Sequence, residues 1–110
     1  MAGFVKGEVV VIPFPFSDLS GSKKRPALVL ADLEGNDILL CQITSQKTRD
    51  KLAIPLLQND FLNGSLPVSS FIRPLRIFTA DKAIIQRRAG TTRPEIIHKV
   101  IESIVMELKK

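Results

Sequence analysis

The chain has 110 residues, room for one domain built on a single core. Hydrophobic residues make up 45% of it, which argues against disorder, and the formal net charge of +5 favours polyanionic partners such as RNA, DNA or acidic protein segments. Six Phe are its only aromatics, with no Trp and no Tyr, so a platform for stacking bases is poorly supplied.

The predicted elements are mostly strands. Residues 8–13, within GEVVVIPF, are β-branched and apolar and read as a first strand. PFSDLSGSKK is rich in Pro, Ser, Asp and Gly and reads as a loop. RPALVLAD is a continuous apolar run, the mark of a strand covered on both faces. Such a two-sided run in a small domain would gain from a partner, which suggests a symmetric dimer. LEGND is a turn, DILLCQIT a third strand and SQKTRDK a second polar, basic loop. LAIPLL reads as a short strand that Pro55 confines to an edge or a bulge. QNDFLNGSLP is turn-rich, VSSFIRP is a strand stopped by Pro74, and LRIFTADKAII fits a strand and a helical turn equally.

The C-terminal segment reads as an amphipathic helix. Thr92 is the candidate cap, Pro94 suits the first turn, and Glu95 favours the positive helix end. Ile97, Val100, Ile101, Ile104 and Leu108 recur at three- and four-residue spacing, and Lys109 and Lys110 suit the negative end. Short strands, Gly/Pro turns and one closing helix predict a mainly β fold over residues 1–110: a small SH3-like barrel or strongly bent sheet with a C-terminal α-helix.

Several chemistries lack their residues. Cys41 is the single cysteine, so no internal disulfide or Cys-rich metal site is available, and it reads as a small buried hydrophobe. His98 is the only histidine, which rules out a two-histidine acid–base ribonuclease within one chain and leaves it a surface role. There is no H-E-x-x-H, no paired Cys and no compact Asp/Glu cluster, so neither a metal nor a cofactor is predicted. SGSKK lacks the G-x-x-x-x-G-K-[ST] spacing and runs into a strand rather than a helix. No G-x-S-x-G elbow is present. No basic segment followed by a long apolar stretch opens the chain, and no apolar run approaches a membrane span, so a soluble cytoplasmic protein with no membrane partner is expected.

What remains is a set of polar groups at two strand ends. Arg25 precedes Pro26, which holds its backbone extended. Its guanidinium offers a two-pronged fork for phosphate; an arginine laid over apolar neighbours is an equal reading. Gln42 and Thr44 share one face of the third strand, with Leu39, Cys41 and Ile43 on the other. Taken alone, Thr44 is simply a good strand residue.

In order along the chain, KGEVVVIPFPFSDLSGSKKRPALVL, CQITSQ and SSFIRPLRIFTADKAII resemble the three motifs of the MazF/PemK-like toxin family. Those motifs are a K/R-G-D/E start leading to R-P-x-L-V, a strand ending in I-T-S/A, and S-x-hydrophobic-R-x-x-x-I-x-T-x-D-K. Leu75 departs from the pattern, standing where many members carry an acidic residue. The resemblance implies a small barrel with a helix, a homodimer, and metal-independent, sequence-selective cleavage of single-stranded RNA to a 2′,3′-cyclic phosphate. It also implies a cognate antitoxin whose acidic C-terminal segment occupies the RNA groove, with DNA reached through that antitoxin. The family's catalytic arginine and threonine fall on Arg25 and Thr44. Around them Lys23, Lys24, Gln42, Ser45, Gln46, Lys47, Arg49, Lys51 and Arg73 are the candidate substrate contacts. Two other readings stay open: a CcdB-like toxin that binds a DNA topoisomerase, and a non-enzymatic SH3-like nucleic-acid-binding module.

Overall fold

The computed structural model describes residues 3–14 and 23–110, with the side chains of Phe14 and Lys23 outside the described set. The predicted loop over 15–22 therefore lies outside the described residues. Among the described residues seven strands precede one helix: β1 (Glu8–Phe14), β2 (Lys23–Asp32), β3 (Asp37–Thr44), β4 (Ile54–Leu56), β5 (Phe61–Gly64), β6 (Ser70–Asp81), β7 (Arg87–Thr92) and α1 (Pro94–Leu108). Single 3₁₀ turns occupy Gln58–Asp60 and Lys82–Ile84. Every strand pairing is antiparallel, in the order β4-β6-β3-β2-β1-β7-β5. The result is the expected mainly β architecture, a curled half-barrel closed by α1.

Alternation along the central strands fills two apolar clusters. Val9, Leu28, Leu30, Cys41 and Ile43 pack with Ile96, Ile97 and Val100 of α1. Val10, Ile12, Ala27, Val29, Ile38 and Leu40 form the second cluster, covered by Phe4, Phe78, Ala80 and Ile85. The run 27–30 is thus buried on both faces within this chain, and by itself it calls for no second copy. Burial also pushes the Cys41 thiol up to about 12, so the cysteine is a neutral core residue.

Other expectations change where tertiary pairing outweighs local signal. Lys23 and Lys24, read as loop, belong to β2, because β1 continues far enough to pair Phe14 with Lys23 and Pro13 with Lys24. Pro55 does lie in an edge strand, β4, which pairs only with β6. Pro74 does not stop its strand. On β6 the register against β3 jumps from Cys41–Ile77 to Gln42–Arg73, leaving Pro74, Leu75 and Arg76 as a bulge. A bulged residue owes the ladder no N–H, so proline is tolerated there. The turn-rich stretch 58–64 holds a 3₁₀ turn and β5.

β7, whose RRAGTT sequence carries no apolar alternation, exists through its partners β1 and β5. Its Gly90 faces Gly64 of β5 so closely that a Cβ on Gly90 would stand 2.5 Å from the Asn63 carbonyl oxygen. Thr92 does not cap α1: its hydroxyl and N–H both donate to the Gly7 carbonyl at 2.9 Å, and Arg93 holds the cap position with its side chain turned to the Asn59 carbonyl rather than capping the helix. Pro94 opens the helix as predicted. Ile96, Ile97 and Val100 are buried and Ile101 and Ile104 pack beside them, whereas Leu108 is 75% exposed because the last turn runs beyond the core.

Candidate nucleic-acid groove and active site

The β2–β3 ladder ends at Ala27–Gln42. Pro26, the next residue outward on β2, has no N–H to carry it on. Past that point β2 pairs only with β1, and a cavity of about 800 Å³ opens. Buried Val11 and Ile43 with half-buried Pro26 and Leu66 form its apolar floor. Lys24, Ser45, Gln46, Val68, Gln86 and Arg87 stand exposed around it, and half-buried Arg25 lines it as well.

One lateral row of the sheet sets the width of the groove. Val11 of β1 pairs with Pro26 on one side and Arg87 on the other. Two strand spacings separate Pro26 from Arg87, about 10 Å of backbone. The Gln86 N–H donates to the Val11 carbonyl at 2.9 Å and fixes the start of β7. Cations therefore flank an apolar floor from two directions: Lys24 and Arg25 on β2, Arg87 on β7. Arg88, its neighbour in sequence, is tied down instead, donating to Glu8 at 2.9 Å and to the Gly3 carbonyl at 3.0 Å, with its guanidinium over the Phe4 ring.

The remaining candidates divide between groove and flank. Arg25 and Thr44 each stand two residues beyond the Ala27–Gln42 pair, on adjacent strands at the same end of the sheet. Arg25, Lys24, Ser45 and Gln46 line the cavity; Thr44 is half-buried and does not, because alternation turns Ile43 to that side. The Thr44 hydroxyl oxygen accepts from the Gln46 N–H at 3.1 Å, which leaves its own proton free to be donated. Gln42, Thr44 and Arg73 share the other face of the β3–β6 pair: Arg73 lies opposite Gln42 and donates to its carbonyl oxygen at 3.5 Å. Lys47, Arg49 and Lys51 are exposed on the segment that leaves β3. The Lys23 side chain lies outside the described residues.

Asp50 anchors that segment. Its carboxylate is held below its ordinary value of 3.8 by the Leu52 N–H first, and then by Arg73, with Arg76 nearby. The Leu52 bond is 2.9 Å and the Arg73 ion pair 3.1 Å. Gln86, Arg87 and the 66–68 wall were missed in the sequence, since β7 and residues 65–69 lack any periodic signal that would bring them to Arg25. Among the described residues no three His, Cys, Asp or Glu side chains gather as a metal cradle, and no helix is long and apolar enough to cross a membrane.

The fold is thus a curled antiparallel half-barrel with one C-terminal helix and a cationic groove at a strand end. The structure is similar to a chain of a MazE–MazF crystal structure from Deinococcus radiodurans, with TM-score 0.75, 18% identity and 94% of each chain covered. It is also similar to an endoribonuclease from a mycobacterial species (TM-score 0.72, 16% identity, 99% of this chain and 94% of that one). A third similar structure is the Mycobacterium tuberculosis toxin MazF-mt6 (TM-score 0.71, 17% identity, 93% and 96% covered). A further mycobacterial endoribonuclease of the same fold was solved in complex with its cognate antitoxin. No curated protein matches the chain by sequence. Residues 5–107 match the PemK-like, MazF-like toxins of type II toxin–antitoxin systems, and the chain belongs to that family.

Proposed function

We propose that the protein is a sequence-selective endoribonuclease toxin that cleaves single-stranded RNA without a metal ion, acts as a homodimer in the cytoplasm, and is silenced by a cognate antitoxin. The observation that carries this reading is the groove itself: Lys24 and Arg25 on one wall, Arg87 on another, with Thr44 on the strand beside Arg25. The antitoxin-bound relatives support the partner, and an acidic antitoxin segment suits the same cationic walls.

In the reaction, the 2′-oxygen attacks the adjacent phosphorus and gives up its proton. The bond from phosphorus to the 5′-oxygen breaks, and that oxygen takes a proton on leaving. The products are a 2′,3′-cyclic phosphate and a 5′-hydroxyl end. Negative charge gathers on the non-bridging oxygens in the transition state, where the Arg25 fork stabilises it. Thr44 lies outside the cavity wall; its proton, unused by the Gln46 bond, serves the same oxygens when the phosphate sits over the strand ends beside Arg25. Lys24, Ser45, Gln46 and Arg87, which line the cavity, hold the flanking nucleotides; Lys23, Gln42, Lys47, Arg49, Lys51 and Arg73, outside that lining, are the contacts for the strand beyond it.

The test is Arg25→Ala, assayed on a mixed single-stranded RNA with a chelator present. Wild type cleaves and leaves cyclic phosphate ends. The variant folds and loses about a hundred- to a thousandfold in rate, equivalent to about 2.7–4 kcal/mol. Arg25→Lys does not restore it, because an ammonium lacks the fork. A wild-type chain that binds RNA without cutting it would instead be a binding module.

A further inference from the structure

From Lys47 to Leu52 exposure alternates residue by residue. Lys47, Arg49 and Lys51 are exposed; Thr48, Asp50 and Leu52 are half-buried. The stretch read as a polar loop is therefore a short arm with an inner face and a cationic outer face. Two hydrogen bonds brace the arm internally, and one ion pair ties it to the sheet. The Thr48 hydroxyl accepts from the Asp50 N–H at 3.1 Å. One Asp50 carboxylate oxygen accepts from the Leu52 N–H at 2.9 Å, and the other accepts from Arg73 on β6 at 3.1 Å. Arg73 in turn reaches Gln42 on β3, so the arm is bolted to two strands through one carboxylate.

Asp50 is the only acidic residue between Asp37 and Asp60, and five cations surround it in sequence and space: Lys47, Arg49, Lys51, Arg73 and Arg76. Like charges so close repel and would spread the arm away from β6. We infer that Asp50 is a positioning residue for nucleic-acid binding, anchoring the 47–52 arm to Arg73 so that Lys47, Arg49 and Lys51 meet the phosphates of the strand leaving the groove. The inference rests on the proposed nucleic-acid function. A negative residue beside an anionic ligand should weaken binding by charge alone; Asp50 strengthens it by geometry, and the two effects have opposite signs.

Asp50→Asn and Asp50→Ala in the full chain separate them. Each raises the formal net charge from +5 to +6. Asn can still accept from Leu52 but loses the ion pair, whereas Ala loses both. The probe is a mixed-sequence single-stranded DNA, which offers phosphates and no 2′-hydroxyl to cleave, titrated across a salt series. Thermal melts confirm that each variant is folded. The expected order of affinity is wild type, then Asn, then Ala, with the slope of log affinity against log salt flattened by roughly 0.7 for each phosphate that the arm no longer neutralises. Variants that bind as tightly as wild type or more tightly, with an unchanged slope, overturn the anchor and leave the groove reading intact. A wild-type chain with no salt-dependent binding overturns the nucleic-acid reading and the anchor with it.

Discussion

Thr44 shows how one residue can satisfy a local turn and still keep a hydroxyl proton to donate. Its oxygen accepts the Gln46 N–H, and its O–H is not used by that bond. Thr44→Val keeps the shape and strand preference of the side chain. A hydrogen bond to a charged group is worth about 1.5–3 kcal/mol, so cleavage should slow about ten- to a hundredfold. The stability lost should stay near 1 kcal/mol, since exposed Gln46 can turn to water. Parallel rate and melting measurements check this. A variant that loses stability and keeps its rate would place Thr44 in the scaffold alone.

Among the elements, β7 matters most to the groove and has the weakest sequence signal. It brings Arg87 to the cavity by pairing with Val11 of β1, and β5 closes on its outer side with Gly64 facing Gly90. A Cβ on Gly64 would run into the Ala89 carbonyl and Gly90, and Gly64 also adopts φ +73°, which glycine tolerates best. Gly90→Ala is the cleaner test, since only space is at issue: the new methyl would meet Asn63 O at 2.5 Å and Gly64 Cα at 3.0 Å. Overpacking of this kind costs about 1–3 kcal/mol. Denaturant melts should register that loss. Should β5 be pushed off β7, the Arg87 wall shifts and RNA binding weakens too.

Taken as a whole molecule, the chain directs part of its positive charge at one site. Lys24, Arg25 and Arg87 meet around the cavity, and Arg88 is neutralised locally by Glu8. Cations of the first kind orient a strand without reading its bases. Lys24→Ala and Arg87→Ala should each flatten the salt slope for an uncleavable single strand by roughly 0.7. Lys99→Ala, on the exposed face of α1, should leave it unchanged although it removes the same charge. Equal effects from all three would mean that only net charge matters and that the strand follows no defined groove.

Elements with a strong local signal are legible in the residues alone. β-branched runs mark β1, β2 and β3, and the spacing of Ile97, Val100 and Ile104 marks α1; the R-P and I-T motifs single out Arg25 and Thr44 as the proposed catalytic pair. These are period-two and three-to-four-residue patterns, visible because burial of one face writes itself into neighbouring positions. Contacts between distant segments set the rest. Pro74 lies inside β6 because a bulge relieves it of ladder duty, and Thr92 answers Gly7 rather than capping its own helix. Arg87 reaches the groove through a lateral row, Pro26–Val11–Arg87, whose members lie far apart in the chain. Asp50 meets Arg73 across twenty-three positions. Such pairings leave no periodic trace, because their energy comes from partners that the local sequence does not contain.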